Sequence, residues 1–353
     1  MEANTLKNIF NEFDHKSEYI SHSELNSGHI NDTFLVKTKE DRNYILQKIN
    51  HHIFKDVPGL VNNKVLTSEH IKSKYPNLSE EALNQKVLSF VKSKTTDFYY
   101  HKENGGFWNV MIFIDNSVTY EVVKDTKIAF EGGKLLGQFL NDTSDFDSSQ
   151  LIAVIPNFHD MSFRFKQYKS AVQSALKTRL QKAGKYTKLI ANLKEEMHIL
   201  QNLKENGEIP TRVTHNDTKI SNSLFDKNSK GICMIDTDTV MPGIIHYDFG
   251  DAIRTICNTA AEDEKDLSKV EFNLEYYKAY KKGYLEKTKD SLAETELKYL
   301  PLAAKTMIFI MGLRFLTDYL NNDTYYKTNY PEHNLDRARN QFKLIESFVE
   351  KTL

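Results

Sequence analysis

The chain has 353 residues, with 47 Lys plus Arg against 48 Asp plus Glu, a formal charge of −1, 40% apolar residues and 27% charged residues. At roughly 150 residues per domain this length predicts about two domains or lobes. The composition excludes a disordered chain and lacks the basic excess of a nucleic-acid binder. Two cysteines, Cys233 and Cys257, cannot make a disulfide framework and predict a reducing, cytoplasmic setting. The opening MEANTLKNIF lacks the basic start and apolar run of a signal peptide. The most apolar stretch, 300–320, is interrupted by Lys305 and Arg314, so it reads as a buried helix rather than a membrane span.

In chain order, a short helix is predicted over Thr5–Phe13, followed by strands at Asp32–Lys37 and Asn43–Ile49 joined by the polar KTKEDRN. Leu60–Ser73 and Asn77–Lys92 read as helices. Asp97–Tyr100 and Phe107–Ile114 read as strands around a turn at Asn104-Gly105-Gly106. The first ~115 residues therefore suggest a small antiparallel sheet with one or two helices, and a hinge falls at Asp115–Val118. Beyond it the spacing is mostly helical: Gly132–Leu140, Ser162–Lys182, Tyr186–Asn206, and from near Asp251 to the end. One strand–turn–strand, Ser223–Phe225 and Ile232–Ile235, interrupts the helices. The expected class is α+β, with lobes at 1–115 and 116–353.

Candidate chemistry concentrates between Thr214 and Asp251. His215-Asn216-Asp217-Thr218-Lys219-Ile220-Ser221-Asn222 spells H-x-D-x-x-x-x-N. Asp217 can accept a proton from a hydroxyl, and Asn222 can offer an amide oxygen to Mg²⁺. The hairpin that follows should return the chain so that Asp236 neighbours Asn222, giving two oxygen ligands beside a base. Asp248-Phe249-Gly250 lies too far along to fit that hairpin. Asp248 reads instead as a residue supporting the His215–Asp217 loop, or as the cap of a helix starting near Asp251. ICMIDTDTV also fits a D-x-D phosphatase motif, with Asp236 as nucleophile and Asp238 as acid. That chemistry needs a parallel sheet after the motif, where this chain reads as helical.

HNDTKISN, MIDTD and YDFGD resemble the signature of the aminoglycoside/choline phosphotransferase-like kinases. GHINDTF (Gly28–Phe34), YILQKIN, IPNFHD, DTDTVMPG and RFLTDYLNNDTYY (Arg314–Tyr326) resemble its N-acetylhexosamine 1-kinase branch. These blocks run from Gly28 to about Arg339. The resemblance implies a bilobal protein-kinase-like fold, with ATP and Mg²⁺ as cofactors and the anomeric hydroxyl of GlcNAc or GalNAc as acceptor. It places Gly28, His29, Asn31, Asp32 and Thr33 in a loop over the phosphates, where a plain hairpin turn is the alternative. Lys48 shares a strand face with Tyr44 and Leu46 and would meet the phosphates, with Glu69 as its acidic partner. An edge-strand lysine and a solvated helix face are the alternatives for these two. Phe113 would border the adenine. Asp217 would touch the anomeric hydroxyl, and Arg314 and Tyr325 would bond the sugar. An i,i+4 pair with Asp318 is the competing account of Arg314. His159 and Asp160 would order a nearby loop or cap a helix. Kinases for homoserine, choline or aminoglycosides remain the alternative. Cationic acceptors call for a site rich in acids, whereas Arg314, Tyr319, Tyr325 and Tyr326 suit a neutral sugar better.

Overall fold

The computed structural model describes residues 2–25, 30–103 and 105–352. The N-terminal part comprises α1 (Ala3–Asn11), β1 (Tyr19–Glu24), β2 (Asp32–Thr38), β3 (Tyr44–Ile49), α2 (Val57–Ser73), α3 (Glu80–Asn84), β4 (Phe90–Val91), β5 (His101–Glu103) and β6 (Gly106–Ile112). The strands form one antiparallel sheet in the order β1-β2-β3-β6-β4, with β5 also pairing β6. Alternation decides its two faces. Phe34, Val36, Tyr44, Leu46, Trp108 and Val110 point to one side and pack under Leu6, Ile9 and Phe10 of α1. Ile45, Gln47 and Met111 point to the other side and line a cleft.

The remainder is mostly helical: α4 (Thr126–Asp142), α5 (Met161–Ser174), α6 (Lys177–Met197), α7 (Ile199–Glu205), β7 (Arg212–Thr214), β8 (Ser223–Phe225), β9 (Gly231–Met234), β10 (Met241–Gly243), α8 (Ile245–Ile256), α9 (Leu274–Thr288), α10 (Glu294–Lys298), α11 (Leu300–Leu320) and α12 (His333–Thr352). Helix α11 is long and apolar enough to cross a membrane, yet most of it is buried, packed against α5, α8 and α12. Its Lys305 reaches Glu196 at 2.7 Å. Helices α4 and α9 lie backbone to backbone. No Cβ fits at Gly133, which faces the Tyr280 carbonyl, or at Gly283, which faces that of Phe130. The link between the two parts is pinned, because Val118 and Phe225 exchange main-chain bonds of 2.8 and 2.9 Å.

Several boundaries depart from the sequence expectation. Strand β1 shows no apolar alternation, because this edge strand is mostly exposed. The helix expected over 77–92 is capped by Ser79 but stops at Asn84, since Phe90 and Val91 are drawn into pairing with Met111 and Val110. The strand expected at 97–100 forms instead at His101–Glu103, and Phe98 lies exposed, stacked on Tyr100. The helix expected over 162–182 breaks where Ala175 and Leu176 adopt extended backbone. Helix α8 starts at Ile245, ahead of the expected Asp251. Asn104 of the expected 104–106 turn lies outside the described residues.

Candidate active site

The central loop leaves β7 and turns sharply at Asn216, whose φ of 64° is a left-handed conformation that Asn tolerates better than most residues. The Asn216 side chain donates to the Thr214 hydroxyl (2.8 Å) and to the Thr239 carbonyl (3.0 Å). Two carboxylates in α8 hold the loop from beneath. Asp248, fully buried, accepts the main-chain N–H of both His215 and Asn216 at 2.7 Å. Asp251 accepts that of Thr218 at 3.2 Å and pairs with Arg254 at 3.1 Å. Burial pushes the Asp248 carboxyl up to about 6 even though His215 and the two N–H groups oppose the rise. Asp248 thus supports the loop, as one of its two readings expects, and it is not a helix cap, since it sits within the first turn of α8.

Asn222 donates its amide to the Asp217 main-chain oxygen (2.8 Å) and side-chain Oδ2 (2.9 Å). This leaves the Asn222 Oδ1 as its oxygen donor. The β8–β9 hairpin then brings the chain back, with the Ile235 N–H bonded to the Asn222 carbonyl at 2.9 Å. His215 Nε2 meets the Ile235 carbonyl at 2.8 Å. Asp236 follows with φ 59° and faces the open cleft, crowded by protein on its other sides. That crowding, then the charges of Asp238 and Asp217, holds its carboxyl well above the usual range. Lys219 bridges to Asp217 at 3.2 Å. Burial pulls its ammonium down, but Asp217 and Asp236 outweigh this and leave it raised.

These groups line a cavity of about 500 Å³ between the sheet and the helical part. Asp217, Lys219, Asn222 and Asp236 form one wall; Asn31, Thr33, Gln47 and Lys64 form the other. Ile45, Met111, Phe113, Ile114, Leu224 and Ile235 supply an apolar end. The Phe113 N–H is occupied by the Asn43 carbonyl at 3.0 Å. Asn222 Oδ1 and the carboxylate of Asp236 both line this cavity and are oxygen donors of the kind that suits a hard divalent cation.

Three expected residues do not reach the cleft. Asp32 and Lys48 are register partners on the opposite sheet face, and Lys48 Nζ lies 5.8 Å from the Trp108 ring centroid. Glu69 is exposed and pairs with Lys72 at 2.8 Å. Gly28 and His29 lie outside the described residues. The cation at the cleft is Lys64 of α2, bound to Asp238 and to Gln47 Oε1 (3.3 Å). Lys64 falls three and four residues after Val61 and Leu60, in the buried stripe of its helix, and that position was the available sequence signal. Asp238 also accepts from Asn31. It follows a short antiparallel hairpin, not the parallel sheet a D-x-D phosphatase requires.

Arg314 is half-buried and has no carboxylate partner among the described residues. Its guanidinium lies 5.3 Å from the Phe158 ring centroid and 5.7 Å from that of Tyr326. The competing pair with Asp318 is absent, because Asp318 accepts the main-chain N–H of Thr324, Tyr325 and Tyr326 and the Asn334 amide. Tyr325 is 70% exposed. Arg164 stands in the same group, bonded to the Phe158 carbonyl at 2.7 Å and pushed down to about 10 by burial and by Arg314. His159 is buried beside Asn216 with both ring nitrogens unpartnered, and burial, then Arg314 and Arg164, lowers its basicity strongly. Asp160 caps α5 through the Phe163 N–H at 2.6 Å.

The APH family model, described as a phosphotransferase enzyme family, matches residues 21–294. The chain belongs to that family. An aminoglycoside phosphotransferase from Alicyclobacillus acidocaldarius superposes with a TM-score of 0.61 at 12% identity, over 98% of this chain and 95% of that one. A choline kinase from Cryptosporidium parvum gives 0.57 at 15%, over 94% and 90%. An amicoumacin kinase, solved with AMP-PNP, Ca²⁺ and Ami, gives 0.59 at 12%, over 92% and 88%. These likenesses give the fold, a bilobal protein-kinase-like α+β architecture, and the family makes the chain a kinase-like phosphotransferase.

Proposed function

We propose that the protein transfers the γ-phosphoryl group of ATP, with Mg²⁺, to the anomeric hydroxyl of an N-acetylhexosamine, GlcNAc or GalNAc. Asp217 takes the hydroxyl proton as the acceptor oxygen bonds to the γ-phosphorus. The bond from that phosphorus to the β,γ-bridging oxygen breaks, and ADP leaves with the electron pair. Asn222 amide bonds hold the Asp217 carboxylate in place. Lys219 balances its charge. Asn222 and Asp236 would hold Mg²⁺, which when bound neutralises charge on the phosphate oxygens. The apolar end around Phe113, Ile45 and Leu224 suits an adenine ring. The division into lobes at 1–115 and 116–353 belongs to the same reading, with the nucleotide between them.

One observation carries the acceptor assignment. His159 lies beside Asn216 of the Asp217 loop, Arg314 and Arg164 gather around it with Phe158 and Tyr326, and neither arginine has a carboxylate partner among the described residues. Such a wall repels ammonium groups, which disfavours choline, ethanolamine and aminoglycosides as acceptors. It offers donors and aromatic faces to hydroxyls and an acetamide carbonyl. Incubation with ATP, Mg²⁺ and separate GlcNAc, GalNAc, glucose, homoserine and choline, followed by phosphorus NMR, tests the reading. A sugar 1-phosphate from the N-acetyl sugars is expected. Transfer to homoserine or choline alone would replace the acceptor while keeping the catalytic loop.

A further inference from the structure

The family resemblance implies a phosphate-binding lysine on the strand next to the phosphate loop. In this protein that strand presents Gln47 to the cleft and turns Lys48 away. The cation comes from the neighbouring helix instead. Lys64 is 2% exposed, yet its side chain forms part of the cavity wall shared with Asn31, Asp217 and Asp236. A lysine ammonium has three donors. One goes to Asp238, one to Gln47 Oε1 at 3.3 Å, and the third has no partner among the described residues.

Asp238 organises this arrangement. One of its oxygens receives Lys64 and the other receives Asn31, the residue just ahead of β2. Asn31 in turn accepts the Asn50 main-chain N–H at 2.8 Å. The turn following Asp236 is thereby tied to helix α2 and to the segment leading into the sheet. A buried ion pair is a poor stabilising device, because desolvating both charges offsets much of their attraction. An apolar pair would serve a purely structural need as well. A charged pair at the wall of a site that also holds Asp217 and Asp236 makes sense if an anion arrives there.

We propose that Lys64 is the cation that receives the nucleotide's phosphates and that Asp238 is the positioning residue that sets Lys64 and Asn31 side by side for them. This rests on the phosphotransferase reading above and names a residue of its nucleotide site. Asp238 accepts hydrogen bonds from both donors, and phosphate oxygens can take up the remaining N–H of Lys64 without breaking the pair.

The test is calorimetric titration of ATP and, separately, adenosine, both with Mg²⁺, into the full chain. Wild type, Lys64→Met, Lys64→Arg and Lys48→Met are compared. Lys64→Met is expected to weaken ATP at least tenfold and to leave adenosine unchanged. Lys64→Arg should restore part of the loss, and Lys48→Met should match wild type. If Lys64→Met does not fold, the double variant Lys64→Met/Asp238→Asn leaves no buried charge unpaired and gives the same readout. Equal loss of ATP and adenosine would make Lys64 a structural residue and overturn the proposal, as would unchanged ATP affinity. A wild type that binds neither ATP nor adenosine would overturn the phosphotransferase reading along with it, so the two failures are distinguishable.

Discussion

On the helical side of the cleft, Asp217, Lys219, Asn222 and Asp236 come from a stretch of twenty residues, and buried carboxylates of α8 pin the loop that carries the first of them. On the sheet side, Asn31, Gln47 and Lys64 come from three separate elements and meet through Asp238 and one amide contact. The first wall is a local motif whose geometry follows from one turn and one hairpin. The second is assembled by tertiary packing, and the lysine at its wall sits on helix α2 rather than on strand β3. A local motif fixes one wall of this cleft, and tertiary contacts fix the other.

Removing Asp236 strikes the local wall hardest. Asp236→Ala should abolish Mg²⁺-dependent nucleotide binding by calorimetry. It should not lower the melting temperature, because it relieves a crowded group of carboxylates. Retained Mg²⁺-dependent binding would break the assignment of this wall. Asp248→Ala tests what pins the loop. It leaves two buried main-chain N–H groups without an acceptor, at a cost of about 3 kcal/mol in denaturant unfolding. Glu69→Ala, on an exposed ion pair, should cost less than about 0.5 kcal/mol.

A fourth variant concerns pH. His246 is fully buried with Nε2 on the Glu296 carbonyl at 2.9 Å, and burial lowers its pKa from 6.5 to about 4. The unfolded chain therefore takes up this proton first. The stability that neutral His246 preserves is intact above about 6.5 and lost as pH falls toward 4. At about 1.4 kcal/mol per pH unit the loss is roughly 3 kcal/mol. His246→Gln should escape it, so the gap between wild type and variant should shift by that amount across the window. Asp248 titrates in the opposite direction in both proteins and cancels from the comparison. A gap independent of pH would contradict the burial argument.

A further variant sharpens the acceptor wall. Arg314→Ala should raise the acceptor KM about tenfold, the size of one charge-assisted hydrogen bond, with the ATP KM unchanged. Equal rises in both would give Arg314 a structural role instead.

The legibility of the sequence follows the same division. His215 to Asp236 could be read because the hairpin's ends must meet, and they do so through Asn222 and Ile235. The alternating strands at 32–38 and 44–49 were legible for the same local reason. Lys48 and Glu69 lie off the cleft because strand parity and helix phase, rather than a resemblance, decide which side chains face it. In β3 the cleft-facing positions are Ile45 and Gln47, one residue out of phase with Lys48. Asp238 was set aside as half of a phosphatase motif, since only tertiary structure brings Lys64 and Asn31 to it. Arg164 gives no signal in the sequence, because Arg314, the charge it faces, lies far along the chain in α11.

The most direct measurement compares Asp217→Asn with wild type, using ATP, Mg²⁺ and the N-acetyl sugar that wild type accepts. Transfer should fall by about 10²–10⁴ with ATP affinity intact, the loss expected when a general base is removed from an otherwise preserved site. Near wild-type turnover in Asp217→Asn would contradict the account of this loop as the seat of the chemistry.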